Sequence, residues 1–174
     1  MFTRTSVFVI SAALVLTGCS ASSDEAAPAA SVPTHAAPAL TGTPVSVEVS
    51  GEAGSEPIVA ITPGDPVTEL QVTDVIVGTG DPLPAGATLT ADYVGYGGAT
   101  GQMFDASWVR GEPATFPLDN VILGWQEGLV GMQIGGRRLL VIPAELGYGN
   151  NPPPGSGIEP GETLIFVVDL VSFE

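Results

Sequence analysis

Beyond about residue 57 the chain is cut by glycine and proline into short apolar runs, part of a total of 23 Gly and 16 Pro in 174 residues. Both residues are unfavourable inside helices, so a chain punctuated this way is expected to form turn-rich β or α+β structure rather than a bundle of long helices. Residues 69–77 (ELQVTDVIV) begin with period-two alternation. Residues 88–96 set Leu89, Ala91 and Tyr93 on one face against Thr90 and Asp92 on the other. Both segments predict half-buried strands, and residues 78–86 between them (GTGDPLPAG) are dense in turn formers. Short strands are expected near 102–104 and 115–118. Longer ones are expected at 137–142 and 162–171, the last with Leu164, Ile165, Phe166, Val167 and Val168 in succession, as in a central strand.

Helical spacing occurs once, where Ile122, Trp125 and Leu129 fall at i, i+3 and i+7, with Asn120 placed to cap the start and Gly131 to stop the end. The expected fold class is therefore α+β, an antiparallel β-sheet of five to six strands wrapped around one short α-helix. It is assigned to residues 57–174, with no second domain and no repeat.

The first 56 residues differ in kind. An apolar run at 7–16 (VFVISAALVL) follows a short start carrying Arg4, the pattern of a signal peptide, and it is about half the length that spanning a bilayer requires. Leu16-Thr17-Gly18-Cys19 resembles the lipobox of bacterial lipoproteins, which implies that residues 1–18 are removed and that Cys19 carries the lipid anchor. Residues 19–56, rich in Ala, Pro, Ser and Thr, lack the apolar content for a core and read as a disordered tether. The expected location is the outer face of the bacterial cytoplasmic membrane, with contact to the membrane through the lipid alone.

Composition excludes several kinds of chemistry. Lysine is absent, the only cations are Arg4, Arg110, Arg137 and Arg138, and the net charge is −15. Nucleic acid is thus excluded as a partner, because it requires a basic face, and a monomer with a self-repelling surface is expected. Arg137 and Arg138 read as solvated strand charges. One cysteine and one histidine, His35 within the tether, supply neither a nucleophilic triad nor a metal site, so no metal and no cofactor is expected.

The residues from 69 to 174 carry a more specific signal. Tyr93-Val94-Gly95 is followed by Gly101-Gln102-Met103-Phe104-Asp105-Ala106-Ser107, then Val121-Ile122-Leu123-Gly124-Trp125-Gln126-Glu127-Gly128-Leu129, then Ile142-Pro143, Gly147-Tyr148-Gly149 and Leu164-Ile165-Phe166. This series, in this order, resembles the FKBP-type peptidyl-prolyl cis/trans isomerases, the macrolide-binding immunophilins. The resemblance implies rotation of X–Pro bonds in exported proteins, with proline-containing segments as substrates and macrolides as inhibitors. Carried over by position, it makes Trp125 the floor under the proline ring and Tyr93, Phe104 and Phe166 the walls. Val121 and Ile122 become a rim, with the Ile122 N–H binding a substrate carbonyl. Tyr148 becomes a hydroxyl donor, and Asp105 sits near the rotating carbonyl, fixed by Tyr93 and Arg110. Ile158 covers the site.

The chain departs from the family pattern in having Ala114 where a pocket phenylalanine is usual, with Phe116 two residues on, and Gly157 where an apolar residue is common. By residue type alone, Trp125, Phe104 and Phe166 fit a core as well as a pocket, Tyr93 and Tyr148 fit packing roles, and Asp105 fits a turn cap or a structural ion pair with Arg110. The competing class of function is a non-catalytic module that grips proline-containing segments.

Overall fold

The computed structural model describes residues 42–174. The signal-peptide segment 1–18, Cys19 and tether residues 20–41 lie outside the described residues. In chain order the elements are strands β1 (Ser46–Ser50), β2 (Ile58–Thr62), β3 (Gln71–Ile76), β4 (Thr88–Gly97), β5 (Met103–Ala106) and β6 (Ala114–Pro117). A single turn of 3-10 helix at Leu118–Asn120, helix α1 (Leu123–Gly128), β7 (Arg137–Ile142), a second 3-10 turn at Ala144–Leu146 and β8 (Leu164–Phe173) complete the fold. The main sheet is antiparallel, in the order β3-β7-β8-β4-β5, with β6 also paired to β4. The expected α+β class and single short helix are present, and the main sheet has six strands, within the five to six expected, while β1 and β2 form a separate two-stranded sheet.

Alternation along the two central strands divides the interior into two layers. Leu89, Ala91 and Tyr93 of β4 and Leu164, Phe166, Val168 and Leu170 of β8 face α1 and form a core with Trp125, Leu129, Leu140 and Ile142. The intervening residues Val94, Ile165 and Val167 face the other way, with Leu139 and Val141 of β7. Helix α1 lies very close to β7, because a Cβ on Gly124 would stand 2.4 Å from the Ile142 side chain and one on Gly128 would stand 2.7 Å from that of Leu140. Its N-cap is Ile122, without a side-chain cap bond, so Asn120 does not cap it as the spacing predicted. Asn120 instead ends the 3-10 turn. The helix ends at Gly128 with Leu129 as its C-cap, earlier than the expected stop; Gly131 stands in the following turn at φ 79°, where residues with a side chain are strained.

Two expectations are corrected. The tether cannot extend to residue 56, because β1 pairs with β2 from Ser46↔Thr62 to Ser50↔Ile58. Val47, Val49, Val59 and Ile61 pack on the second layer, where Val45 and Val67 are buried. A sequence of alternating Val and polar residues needs an apolar surface to cover, and the outer face of the sheet supplies it.

The second correction concerns the strand arginines. Arg137 is 0 % exposed and donates to both oxygens of Asp169, from Nε at 2.6 Å and Nη2 at 2.7 Å. The same pair holds the β1–β2 turn, since Arg137 also donates to the Ser55 carbonyl and Asp169 accepts from the Gly54 N–H. Arg138, on the opposite face, makes a two-pronged contact with Asp74 of β3 and donates to the Gly128 carbonyl at 2.8 Å. There it places a cation at the C-terminal end of α1, where the exposed carbonyls favour it. The expectation of solvated strand charges fails for both arginines, because neighbouring strands bring carboxylates to them and close over them.

Arg137→Ala leaves Asp169 buried without its cation, so the urea midpoint should fall by the equivalent of about 3–5 kcal/mol. Replacing both partners, Arg137→Met with Asp169→Leu, should recover most of that loss. Equal instability of the single and double variants would show that the pair acts through the hairpin turn rather than through charge burial.

Candidate functional site

Several elements converge on one open cavity of about 290 Å³, lined by Tyr93, Phe104, Asp105, Phe116, Asn120, Val121, Ile122, Trp125, Tyr148 and Phe166. Trp125 projects from α1 into the first core layer and stands edge-on to three rings: Phe166 at 5.3 Å, Tyr93 at 5.5 Å and Phe116 at 5.9 Å between centroids. Phe104 meets Phe166 in the same way at 5.5 Å. Edge-to-face packing of this kind fixes ring planes as well as burying area. The rings can close in because position 95 is glycine; a Cβ there would lie 2.7 Å from Phe104 and 2.8 Å from Phe166. The Trp125 Nε1–H is buried without a partner among the described residues, so the indole serves here through its ring area.

One side of the cavity is polar. The Tyr93 hydroxyl donates to Asp105 Oδ2 at 2.5 Å, Arg110 Nη1 donates to Asp105 Oδ1 at 2.9 Å, and Arg110 Nη2 donates to the Tyr93 hydroxyl at 2.8 Å. Burial is the largest influence on the Asp105 carboxyl and pushes its pKa up, but the hydrogen bonds from Tyr93 and Arg110, with the guanidinium charge, outweigh it and hold the pKa below the ordinary value. Tyr93 is pushed up to about 12, first by burial and then by its bond to the Asp105 carboxylate. Tyr148, which also lines the cavity, is raised by burial and by the negative charge of Asp105. Both phenols are therefore neutral donors, and Asp105 is an anion, throughout the neutral range. Ser107 braces this side from below by accepting the Tyr93 N–H and donating to Asp92.

The rim is set by the start of α1. The Ile122 carbonyl accepts the Trp125 and Gln126 N–H groups, and the Gln126 side chain reaches back to the Val121 carbonyl at 2.8 Å. Asn120 lines the cavity although the sequence marks it only as a helix cap, and no local signal shows it facing a cavity.

Of the residues singled out from sequence, the structure brings Tyr93, Phe104, Asp105, Phe116, Val121, Ile122, Trp125, Tyr148 and Phe166 to the cavity wall. Two are placed elsewhere. Arg110 stands behind Asp105 and Tyr93 rather than on the wall, with its guanidinium 5.5 Å from the Tyr93 ring centre. Ile158 is 9 % exposed and packs in the core cluster that contains Tyr93, Trp125 and Phe166, and it is not among the residues lining the cavity. Ala114 packs against the same core, and Phe116 supplies the missing aromatic edge, 5.8 Å from the Tyr93 ring. Gly157 has φ 78°, which an apolar side chain would adopt only with strain. Among the described residues no group of side chains is arranged to hold a metal ion.

Comparison with known proteins agrees with this geometry. Residues 80–171 match the family model described as FKBP-type peptidyl-prolyl cis-trans isomerase. The chain is 48% identical over 119 residues to an FK506-binding protein of Streptomyces anulatus, covering 67% of this chain and 96% of that protein. A probable FK506-binding protein of Corynebacterium glutamicum is 44% identical over 118 residues, covering 67% of this chain and 98% of the relative. The crystal structure of FkpA from Escherichia coli superposes with a TM-score of 0.56 at 42% identity, covering 62% of this chain and 49% of that one. With the family model spanning more than half the chain and nearly the whole of two relatives aligned, this chain belongs to the FKBP-type peptidyl-prolyl cis-trans isomerases.

Proposed function

We propose that the protein is an exported, lipid-anchored isomerase that rotates X–Pro bonds in proteins folding outside the cytoplasmic membrane, with Trp125, Tyr93, Asp105, Ile122 and Tyr148 as the groups that act on the substrate. The observation that carries the catalytic part is the cavity itself, which has an aromatic floor and walls, one fixed anionic edge and the neutral phenol of Tyr148. An X–Pro bond prefers trans only slightly, yet its rotation meets a barrier of about 18–20 kcal/mol. Twisting the amide breaks its resonance and reduces the charge separation between carbonyl and nitrogen. An apolar pocket therefore disfavours the planar ground state relative to the twisted one.

In this reading the proline ring lies on Trp125 between Tyr93, Phe104, Phe116 and Phe166, beside the Val121 rim. The Ile122 N–H and the Tyr148 hydroxyl receive substrate carbonyls. Asp105, held by Tyr93 and Arg110, sets the field beside the rotating carbonyl, and because that trio is hydrogen-bonded before substrate arrives, little reorganisation accompanies rotation. A macrolide would compete for the same floor. Export and anchoring rest on the Leu16-Thr17-Gly18-Cys19 sequence behind its apolar run.

Asp105→Val and Trp125→Leu separate these roles when turnover of an Ala–Pro peptide and the denaturant midpoint are measured in parallel on the whole chain. Asp105 and Arg110 are each nearly half exposed, so Asp105→Val should cost at most about 1 kcal/mol of stability. Turnover should nevertheless fall roughly tenfold or more, as expected for loss of a preorganised charge. Trp125→Leu should lower turnover less and stability more, by about 2–4 kcal/mol, because ring area leaves the core. Wild-type turnover in Asp105→Val would make the carboxylate structural, and no turnover in the unaltered chain would favour a non-catalytic binding module.

The pH profile follows from the shifts. The depressed Asp105 value stabilises the fold above the ordinary carboxylate range, and that contribution is lost as pH falls through the depressed value. The raised Tyr93 value stabilises below pH 10, a contribution lost as pH climbs towards about 12. Turnover should be level between about pH 5 and 9; a titration centred in that interval would assign catalysis to some other group.

The anchor is checked separately in a bacterial host. The wild-type chain should sediment with membranes and carry more than one acyl chain, since stable anchoring takes two signals. Cys19→Ser should remain unacylated and leave the membrane fraction, and an unmodified, freely soluble wild-type protein would refute the proposal.

A further inference from the structure

Glu162 does not line the cavity, yet its carboxylate joins the loops next to two parts of its wall, Phe104–Asp105 and Tyr148. The residue is 5 % exposed. Its Oε1 accepts the N–H groups of Ala99 at 3.1 Å and Thr100 at 3.2 Å, together with the Thr100 hydroxyl at 3.2 Å. Its Oε2 accepts the Glu159 N–H at 2.8 Å. The first loop turns β4 into β5. Thr100 Oγ1 accepts the Gln102 N–H, and the Gln102 carbonyl accepts the Gly97 N–H, so the loop is fixed up to the start of the strand carrying Phe104 and Asp105. The second loop leads into β8. The Gly161 N–H donates to the Gly149 carbonyl at 2.8 Å, one residue from Tyr148.

We infer that Glu162 is a positioning residue for the isomerase site, holding the Phe104–Asp105 wall and the Tyr148 wall at a fixed separation. This rests on the proposed roles of Asp105 and Tyr148. The chemistry is specific to a carboxylate, which presents acceptors only, on two oxygens, to four donors from two directions. A glutamine of the same shape must turn its NH2 group towards one set of donors and so releases one loop, whichever way it lies. Gly97 is part of the same arrangement, because a Cβ there would stand 2.3 Å from Glu162 Oε1.

Thr163 provides a matched control. It adjoins Glu162 and is equally buried, but its hydroxyl accepts the Val67 N–H and so ties the loop to the segment before β3 rather than to the cavity. The experiment uses the full chain, well below the unfolding temperature of each variant, with one Ala–Pro chromogenic peptide as probe. Glu162→Gln should raise KM several-fold with kcat changed less than twofold. Hydrogen exchange should quicken at residues 97–102 or 156–161. Thr163→Val should lower the unfolding temperature while leaving KM as in the wild type.

A Glu162→Gln enzyme that loses stability with KM and loop exchange unchanged would overturn the inference and leave Glu162 a purely structural group. So would an equal rise in KM in Thr163→Val, which would show that any loosening of this loop suffices. Absence of turnover in the wild type would instead refute the proposed function. In that event the exchange arm still reports whether Glu162 couples the two loops.

Discussion

Helix α1 can lie against strand β7 only because Gly124 and Gly128 present no side chain to Ile142 and Leu140. Most features of the site follow from that close approach. A helix of six residues has little stability of its own, so it must be held by tertiary contacts. Contact at van der Waals distance along its glycine face turns Trp125 into the core between Tyr93, Phe116 and Phe166. Arg138 completes the placement by binding the Gly128 carbonyl at one end of the helix and Asp74 of β3 at the other end of its guanidinium. The indole is thus held in place on the cavity wall, as its proposed role beneath the proline ring requires.

The two buried strand arginines also determine the character of the surface. Arg137 and Arg138 are consumed inside the protein, and Arg110 is committed to Asp105 and Tyr93. Among the described residues every cation is therefore paired, while acidic side chains such as Glu48, Glu112, Asp119 and Glu127 have no cation beside them. The outer surface is more uniformly anionic than the sequence count suggests. Such a field disfavours acidic partners. The same burial secures the hairpin of β1 and β2, because the Arg137–Asp169 pair holds its turn through Ser55 and Gly54.

Legibility in the sequence varied with the range of the interaction involved. The main strands were readable because alternation and glycine or proline punctuation are local. The cavity aromatics were readable because a family resemblance marks them by position. The hairpin was not readable: its alternating valines lie in a stretch whose composition suggests disorder, and the apolar face they cover is assembled from several other strands, most of them distant in sequence. The ion pairs escaped for a similar reason, since Arg137 meets Asp169 across a sheet register, and the sequence near Arg137 contains nothing that announces a carboxylate. Asn120 shows the opposite error, in which a good local cap signal lost to the β6–α1 connection that turned the residue to the cavity.

Local periodicity and turn chemistry were enough to read the α+β class and the single short helix from the sequence, and motif resemblance was enough to read the isomerase family and most of the side chains at the cavity. It took the folded chain to show that Arg110 stands behind Asp105 rather than in the wall, that Ile158 is buried in the core cluster, and that Glu162 bonds to two loops. Those outcomes depend on which backbone and side-chain groups meet across the sheet and between loops, and hydrogen-bond partners brought together from distant parts of a chain leave no periodic trace along it.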